Sequence, residues 1–561
     1  MEITESLRKK LYEEKWNFKN RDALIDKLQK ETYDIIIIGG GITGAGVARE
    51  AALRGLKVAL IDKQDFAAGT SSRSTKMAHG GIRYLESYEF RLVREATTER
   101  NWLMAHLPHL IRPIRLIPTA WKGGKDSVSR VHLGVRIYDF LSNSFSKFKT
   151  YKKHEFLEPE EIIELEPAMK KDGLLGGASY YDTFVDDARL VLESIKEAII
   201  RGTDALNYVE FKSFIKENGK IVGIKCSDLE KNNKFEIKGK QIVNATGIWT
   251  DNIVENYPDD IPEPVIRPTK GVHLVYPIDK IKVNNAIPIR SIDDNRGMFL
   301  LRRGNIALIG TTDTDYEEDL DNPYCTKEDA DYVIRAVKNI FPQSELGYEN
   351  IISTFAGIRP LVMQKGKSES ELSRDHLIFW SNDGLLTITG GKLTTNRKMA
   401  EDLFRELIKH KVFSGIRRKK NFSKQKFIIG LEKSEWQKFI ENNSPKLDQD
   451  ILNHLYQQYG HGAIKIIELC LKDNALKERL LPEHPFITGE IVYSLRNEQV
   501  PHLIDIFCRR TEMAILIHHK KQKIIAQKVA EIMAKEYGWN EEKKSEEIKT
   551  HLDHIKKTIF F

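Results

Sequence analysis

After Asp34 the chain is wholly apolar for four residues and then gives up large side chains: in DIIIIGGGITGAGVARE four consecutive isoleucines give way to three consecutive glycines and a small-residue run. An apolar run this short suits a strand buried on both faces, as in a parallel sheet. GAGVAREAALRG then reads as a helix and KVALID as a second buried strand, so a βαβ pattern is predicted from Tyr33 to about residue 112. DARLVLESIKEAIIRG (Asp187–Gly202) has apolar positions at helical spacing and ends in glycine, which predicts a helix. KIVGIKCSD and KFEIKGKQIVNATG alternate or run apolar, as strands do. GVHLVYP and NIALIGTTD add strands between about residues 265 and 350, and LLTITGGKLTTNRKMAEDLF closes the α/β part near residue 405. EWQKFIENN, DILNHLYQQYG, IVYSLRNEQ and AQKVAEIMAKEYG carry helical periods, so residues 405–561 read as a separate helical domain. Residues 1–32 read as a polar, partly helical extension, and about 113–180 as irregular and basic. No internal repeat or long low-complexity segment interrupts this order.

Composition narrows the class. With 561 residues, 41% hydrophobic and 30% charged, the chain has the material for several packed domains rather than a disordered coil. No stretch approaches the roughly 18 to 20 apolar residues of a spanning helix. The N-terminal MEITESLRKKLYEEKWNFKNRD lacks an apolar core, so a secretory signal is not expected. Cys226, Cys325, Cys470 and Cys508 lie far apart, which argues against a disulfide framework, a zinc ribbon or an iron–sulfur cluster, and for a reducing cytoplasm. No metal site is expected. The net charge of +7 decides little, but two local patches stand out: Arg417–Lys420 with Lys424 and Lys426, and the aromatic–cation run Phe145–Lys153. No nucleic-acid-binding motif accompanies them.

The glycines carry the first chemistry. Gly39, Gly41 and Gly44 stand in G-x-G-x-x-G spacing between strand and helix, where the chain turns tightly and backbone approaches a pyrophosphate. The phosphates of a dinucleotide would sit on the helix N-terminus. Asp62, eighteen residues after Gly44 at the end of the second strand, stands where a ribose-binding acid is expected. A second dense patch, GTSSRSTKMAHGGIRYLE, joins hydroxyls (Thr70, Ser71, Ser72, Ser74, Thr75), cations (Arg73, Lys76, Arg83), His79 and the pair Gly80–Gly81. Hydroxyls and free N–H groups suit pyrophosphate and ribityl oxygens, and paired glycines let backbone lie against a planar ring. IVNATGIWTD ends a buried strand beside the cofactor, TITGGKLTTNRK sets glycines and a lysine at a strand–helix junction, and FAGIRPL places Arg359 between an apolar strand and a proline.

Taken together, GGGITGAG, DFAAGTSSRSTKMAHGGIRYLE, VDDARLV, VNATGIW, KGVH, IGTTDTDY, GIRPL and GGKLTTNRKMAE resemble the FAD-dependent glycerol-3-phosphate dehydrogenases, in family order from about residue 33 to 400. The helical tail resembles that family's C-terminal domain. The resemblance implies an α/β fold in which an FAD-binding, Rossmann-like domain is interleaved with a mixed-sheet substrate domain over residues 33–404. The cofactor part then lies mainly in 33–112, 185–265 and 350–404, and a C-terminal all-helical domain follows. FAD is expected along Gly39, Gly41, Ile42, Thr43 and Gly44, with Asp62 and Lys63 at the ribose. The second patch is expected to supply Thr70, Ser71, Ser72, Thr75, Lys76, His79, Gly80 and Gly81. Ala245, Thr246 and Gly247, then Gly391, Leu393 and Thr394, complete the cofactor set. Arg83, Tyr84, Arg359 and Lys392 match family positions lining the substrate pocket, and Thr311 or Thr312 adds a hydroxyl.

That set suits the chemistry the family performs, oxidation of sn-glycerol 3-phosphate to dihydroxyacetone phosphate. A phosphate monoester carries nearly two charges and needs convergent cations and hydroxyls. The C2 hydroxyl must lose its proton as hydride leaves; a neutral histidine is the usual base, and His273 is the first candidate, His79 the second. Expected partners are the substrate, a membrane quinone and an anionic membrane surface on the inner face of the cytoplasmic membrane, with a homodimer left open and no nucleic acid. An oxygen-using glycerol-3-phosphate oxidase, an amino-acid or sarcosine-type oxidase, and a flavin-binding scaffold without chemistry are the alternatives.

Overall fold

The computed structural model describes residues 2–13, 16–363, 375–413 and 422–559. Its α/β part is built, in chain order, from β1 (Thr32–Ile38), α1 (Ile42–Leu53), β2 (Val58–Ile61), α2 (Asp187–Ile199), β3 (Thr203–Leu206), β4 (Asn233–Asn244), β5 (Ile266–Pro277), β6 (Gly297–Arg303), β7 (Ile306–Gly310), β8 (Ser353–Val362), β9 (Leu386–Gly390) and α3 (Asn396–Lys409). Ile35–Ile38 are buried on both faces, as their unbroken apolarity requires, because β1 runs parallel between β2 and β4. The sheet order is β9–β4–β1–β2–β3, with His376–Trp380 antiparallel at the β9 edge. Helix α1 has no broad polar face because it is covered all round: Ala45, Ala48 and Ala51 share one core with Leu190 and Ile195 of α2 and Leu403 of α3. Small side chains let these helices pack this closely.

A second, six-stranded sheet carries β5 at its centre, antiparallel to β7 and β8. Strand alternation divides its faces. Val272, Leu274, Ile309 and Ala356 pack with Ala330, Val333 and Val337 of the helix Lys327–Ile340. The opposite face carries His273, Gly357 and Arg359 toward the cofactor part, where Thr75 and Arg73 meet it.

The stretch read as irregular, about 113–180, instead holds the helix Val128–Ser144 and most of the strand Leu174–Phe184. The helix was hard to read because its apolar residues do not share one face: Val135, Tyr138 and Leu141 are buried while Leu133 and Phe140 face solvent. The N-terminal segment is anchored through the helix Arg21–Lys30, whose Arg21 pairs with buried Asp228. The helical C-terminal part has cores of its own and is tied to the α/β part by buried charge, with Asp65 taking Arg509 and Arg510, and Glu498 taking Arg189 and Lys196.

Candidate active site

At the C-terminal ends of β1, β2, β4 and β9 lies a cavity of about 390 Å³. Gly39 leaves β1 at φ +107°, and a Cβ there would fall 2.6 Å from the Ala245 carbonyl oxygen. Gly44 packs the first turn of α1 on the strand so tightly that a Cβ would lie 1.8 Å from the Gly39 oxygen. Gly41 differs, because it faces the cavity and an added Cβ would meet just Ser71 Oγ, at 3.1 Å. Ser71 Oγ accepts from the Ile42 N–H at 2.9 Å, at the start of α1. A helix N-terminus behind a glycine with room before it fits the pyrophosphate of FAD. Asp62 accepts from the Gly40 and Gln64 N–H groups at 2.6 and 2.8 Å, and burial pushes its pKa up to about 6.

Of the expected cofactor residues, Gly39, Gly41, Ile42, Thr43, Asp62, Lys63, Thr70, Ser71, Ala245, Thr246, Gly247, Gly391 and Leu393 line this cavity. Ser74, Phe211 and Trp249 line it too, although the sequence reading did not assign them. Trp249 stood inside the NATGIW block, so its signal was present; Phe211 comes from a hairpin with no motif. Lys63 Nζ sits 4.4 Å over the Trp249 ring and 2.8 Å from Asp321. The remaining residues of the expected set have other partners. Gly44 is a packing glycine, the Ser72 carbonyl accepts from Lys76 at 2.8 Å, and the Gly80 N–H bonds Tyr138 and Asp182. A Cβ on Gly81 would strike the Tyr84 ring at 2.3 Å, and the Thr394 hydroxyl donates to the His79 carbonyl at 3.2 Å. Lys76, also expected at the cofactor, does not line the cavity: its ammonium is sealed against Asp187 at 2.5 Å, paired with opposite charge as a buried cation must be.

The expected substrate residues fall into two groups. On the β5–β8 sheet, Arg359 Nη1 lies 2.8 Å from Asp313, while its Nη2 donates to Thr311 Oγ1 at 2.8 Å and the Thr312 carbonyl at 2.9 Å. The Thr312 hydroxyl is taken by the Val272 N–H at 3.0 Å, so Thr311 is the threonine that holds the arginine with its side chain. The Asp313 side chain is fully buried and also pairs with Arg296. In the second group Lys392 Nζ lies 3.7 Å over the Tyr84 ring and Arg83, itself exposed, 5.3 Å from it. His273 is 2% exposed, stacks on Phe355 and sets Nε2 3.0 Å from Thr75 Oγ1; its Nδ1 makes no hydrogen bond among the described residues. Burial, then the charges of Arg359 and Lys76, hold its pKa down to about 3, so the ring is neutral. His79 is half-buried, its ring 6.2 Å from Phe299.

Gly271 and Asp313 stood inside the KGVH and IGTTDTDY blocks without an assigned role, and Arg296 lies in no motif. Gly271 explains how Arg359 reaches across the sheet, since a Cβ there would lie 2.4 Å from Arg359 Nη2 and 2.3 Å from Thr311 Oγ1. Both atoms end flexible side chains, so Gly271→Ala is expected to fold and keep its flavin while the guanidinium moves. Misplacing one charge-assisted contact lowers kcat/KM by roughly tenfold or more. Steady-state kinetics beside flavin absorbance check this, and unchanged kinetics would mean the guanidinium's placement is not needed.

The family model described as "FAD dependent oxidoreductase" matches residues 34–397, and that of the "C-terminal domain of alpha-glycerophosphate oxidase" matches 387–544. The aerobic glycerol-3-phosphate dehydrogenase of Bacillus subtilis (strain 168) is 37% identical over 551 residues, covering 96% of this chain and 97% of that protein. That of Staphylococcus haemolyticus is 37% identical over 507 residues, 88% of this chain and 89% of its own. Among solved structures, the FAD complex of the Bacillus halodurans glycerol-3-phosphate dehydrogenase superposes with a TM-score of 0.78 at 28% identity, covering 97% of this chain and 99% of that one. Matched along both its α/β part and its helical C-terminal part, the chain belongs to the family of aerobic glycerol-3-phosphate dehydrogenases, FAD-dependent flavoenzymes.

Proposed function

We propose that this flavoenzyme oxidises sn-glycerol 3-phosphate at C2 to dihydroxyacetone phosphate and passes the electrons to a membrane quinone. The observation that carries the reading is the Arg359–Thr311–Asp313 constellation on the same sheet face as His273. When bound, FAD supplies the two-electron acceptor for the hydride leaving C2. Arg359 and Lys392 hold the phosphate, with Thr311 fixing the guanidinium and Tyr84 lying under the ammonium. His273 takes the C2 hydroxyl proton. The neutral ring is engaged through Nε2 with Thr75, which leaves Nδ1 as the nitrogen without a hydrogen bond among the described residues. A dianion beside it raises the basicity that burial has lowered.

Anaerobic titration of the yellow holoenzyme tests the substrate. Bleaching by glycerol 3-phosphate, but not by glycerol or an amino acid, is the expected result, and bleaching by an amino acid instead would overturn it.

The quinone requires contact with a bilayer, and no helix among the described residues is long and apolar enough to cross one. We assign this contact to the run Phe145–Lys153 at the end of the helix Val128–Ser144. Phe145 and Tyr151 are 54% and 55% exposed, the Phe145 ring lies 6.0 Å from that of the likewise exposed Phe140, and Arg94 covers Phe145 at 5.2 Å. Apolar rings insert while Lys147, Lys149, Lys152 and Lys153 each add about 1 kcal/mol near an anionic surface. The other basic patch, Arg417–Lys420, lies outside the described residues. Sedimentation with anionic liposomes at low and high salt is the measurement. Protein that stays in the supernatant throughout, and reduces oxygen but no quinone, would favour the oxidase reading.

A further inference from the structure

We infer that Glu512, from the helical C-terminal part, is a positioning residue of the active site, holding Thr75 against His273 through the buried ammonium of Lys76. The inference rests on the placing of His273 in the proposed site.

Lys76 is 1% exposed; its Nζ lies 2.8 Å from the Ser72 carbonyl oxygen, 2.5 Å from Asp187 Oδ1 and 3.3 Å from Glu512 Oε1. Glu512 is equally buried, and its other oxygen takes Arg303 at the end of β6. One carboxylate therefore joins the cofactor loop, the substrate sheet and the helical part. Burial raises its pKa, but the charges of Arg303 and Lys76 outweigh this and hold it at about 2, so the clamp stays charged. Lys76 (φ +58°) and Glu512 (φ +59°) both occupy the left-handed region, which costs energy for any residue with a Cβ and persists where surroundings impose it.

Asp187 ties down the other side of Thr75. Its Oδ2 accepts from the Ser74 N–H at 3.1 Å and the Ser74 hydroxyl at 2.6 Å. Thr75 thus sits between two residues anchored to one buried cluster, with its hydroxyl 3.0 Å from His273 Nε2. Nothing else among the described residues hydrogen-bonds that imidazole, so the loop supplies the contact that orients a ring otherwise held by packing on Phe355. Lys76 accordingly serves the chemistry without touching the cofactor.

The test compares Thr75→Val, Glu512→Gln and their double variant as FAD-loaded enzymes. Loss of the Thr75–His273 hydrogen bond, outright in Thr75→Val or through a loosened Lys76–Glu512 ion pair in Glu512→Gln, corresponds to about a 2- to 13-fold fall in kcat. KM is expected to move little, because the phosphate contacts are untouched. The double variant should be no worse than the poorer single, and Thr75→Ser should restore the rate. A second readout is independent of turnover: the His273 ring-nitrogen resonance, identified by its loss in His273→Gln, should shift in both single variants. Additive losses, an unmoved resonance, or wild-type kcat in either single variant would overturn the inference. So would failure of both Glu512→Gln and Glu512→Asp to yield folded flavoprotein, since Glu512 would then be a fold residue alone. Wild-type kcat in His273→Gln, with the shifts still present, would instead remove His273 from proton transfer and leave the linkage intact.

Discussion

Arg359→Ala should lower kcat/KM for glycerol 3-phosphate by roughly 10- to 150-fold while FAD stays bound, the equivalent of one charge-assisted contact worth about 1.5 to 3 kcal/mol. The fold should tolerate the loss because Asp313, the buried carboxylate that Arg359 leaves behind, still pairs with Arg296. Arg359→Lys should not rescue activity. The guanidinium spans Asp313 with one nitrogen and Thr311 with the other, and an ammonium cannot reproduce that planar fork. Lys392→Ala is expected to fall in the same range, since the proposed site counts its ammonium, held over the Tyr84 ring, as its second phosphate cation. Steady-state kinetics with flavin absorbance and thermal melting separate loss of binding from loss of fold. Wild-type kinetics in either alanine variant would remove that residue from the phosphate site.

Gly41→Val should purify folded and colourless. Gly41 has φ −77° and extended ψ, which valine adopts without strain, and Ser71 Oγ can rotate away from the new side chain. The added carbons instead fill the space before the α1 N-terminus, where the pyrophosphate must lie. Gly44→Ala is the contrast. Its Cβ would lie 1.8 Å from the Gly39 oxygen, a backbone atom that cannot yield, so this variant should lose the strand–helix packing and the fold with it. Absorbance near the flavin bands and circular dichroism distinguish the two. A fully yellow Gly41→Val protein would sink the pyrophosphate assignment.

The cofactor motif was legible because its determinants are local. A four-residue apolar strand, a glycine turn and an acid at the next strand end lie within about thirty residues, and their spacing alone specifies a βαβ unit. The helical tail was legible for the same reason, since helical periodicity is a short-range signal. The helix Val128–Ser144 was lost because its exposed Leu133 and Phe140 blur the period that reveals helices.

Residues whose task depends on a partner far along the chain were decided by tertiary structure. Lys76 stands in a cofactor-like loop, yet its partners are 111 positions away at Asp187 and in the helical part at Glu512. No spacing within the loop distinguishes an ammonium aimed at phosphate from one turned into a buried ion pair. Asp313 and Gly271 matter because the register of β5 against β8, Thr269 opposite Arg359 and Gly271 opposite Gly357, lets the arginine cross a strand that lacks a side chain there. Short-range spacing therefore determined a dinucleotide-binding βαβ unit, while FAD and the class of enzyme followed from the resemblance of the chain's motifs to a family. Strand register and buried charge pairing, which sum interactions over hundreds of residues, decided which side chains gather around the candidate site and which hold them in place.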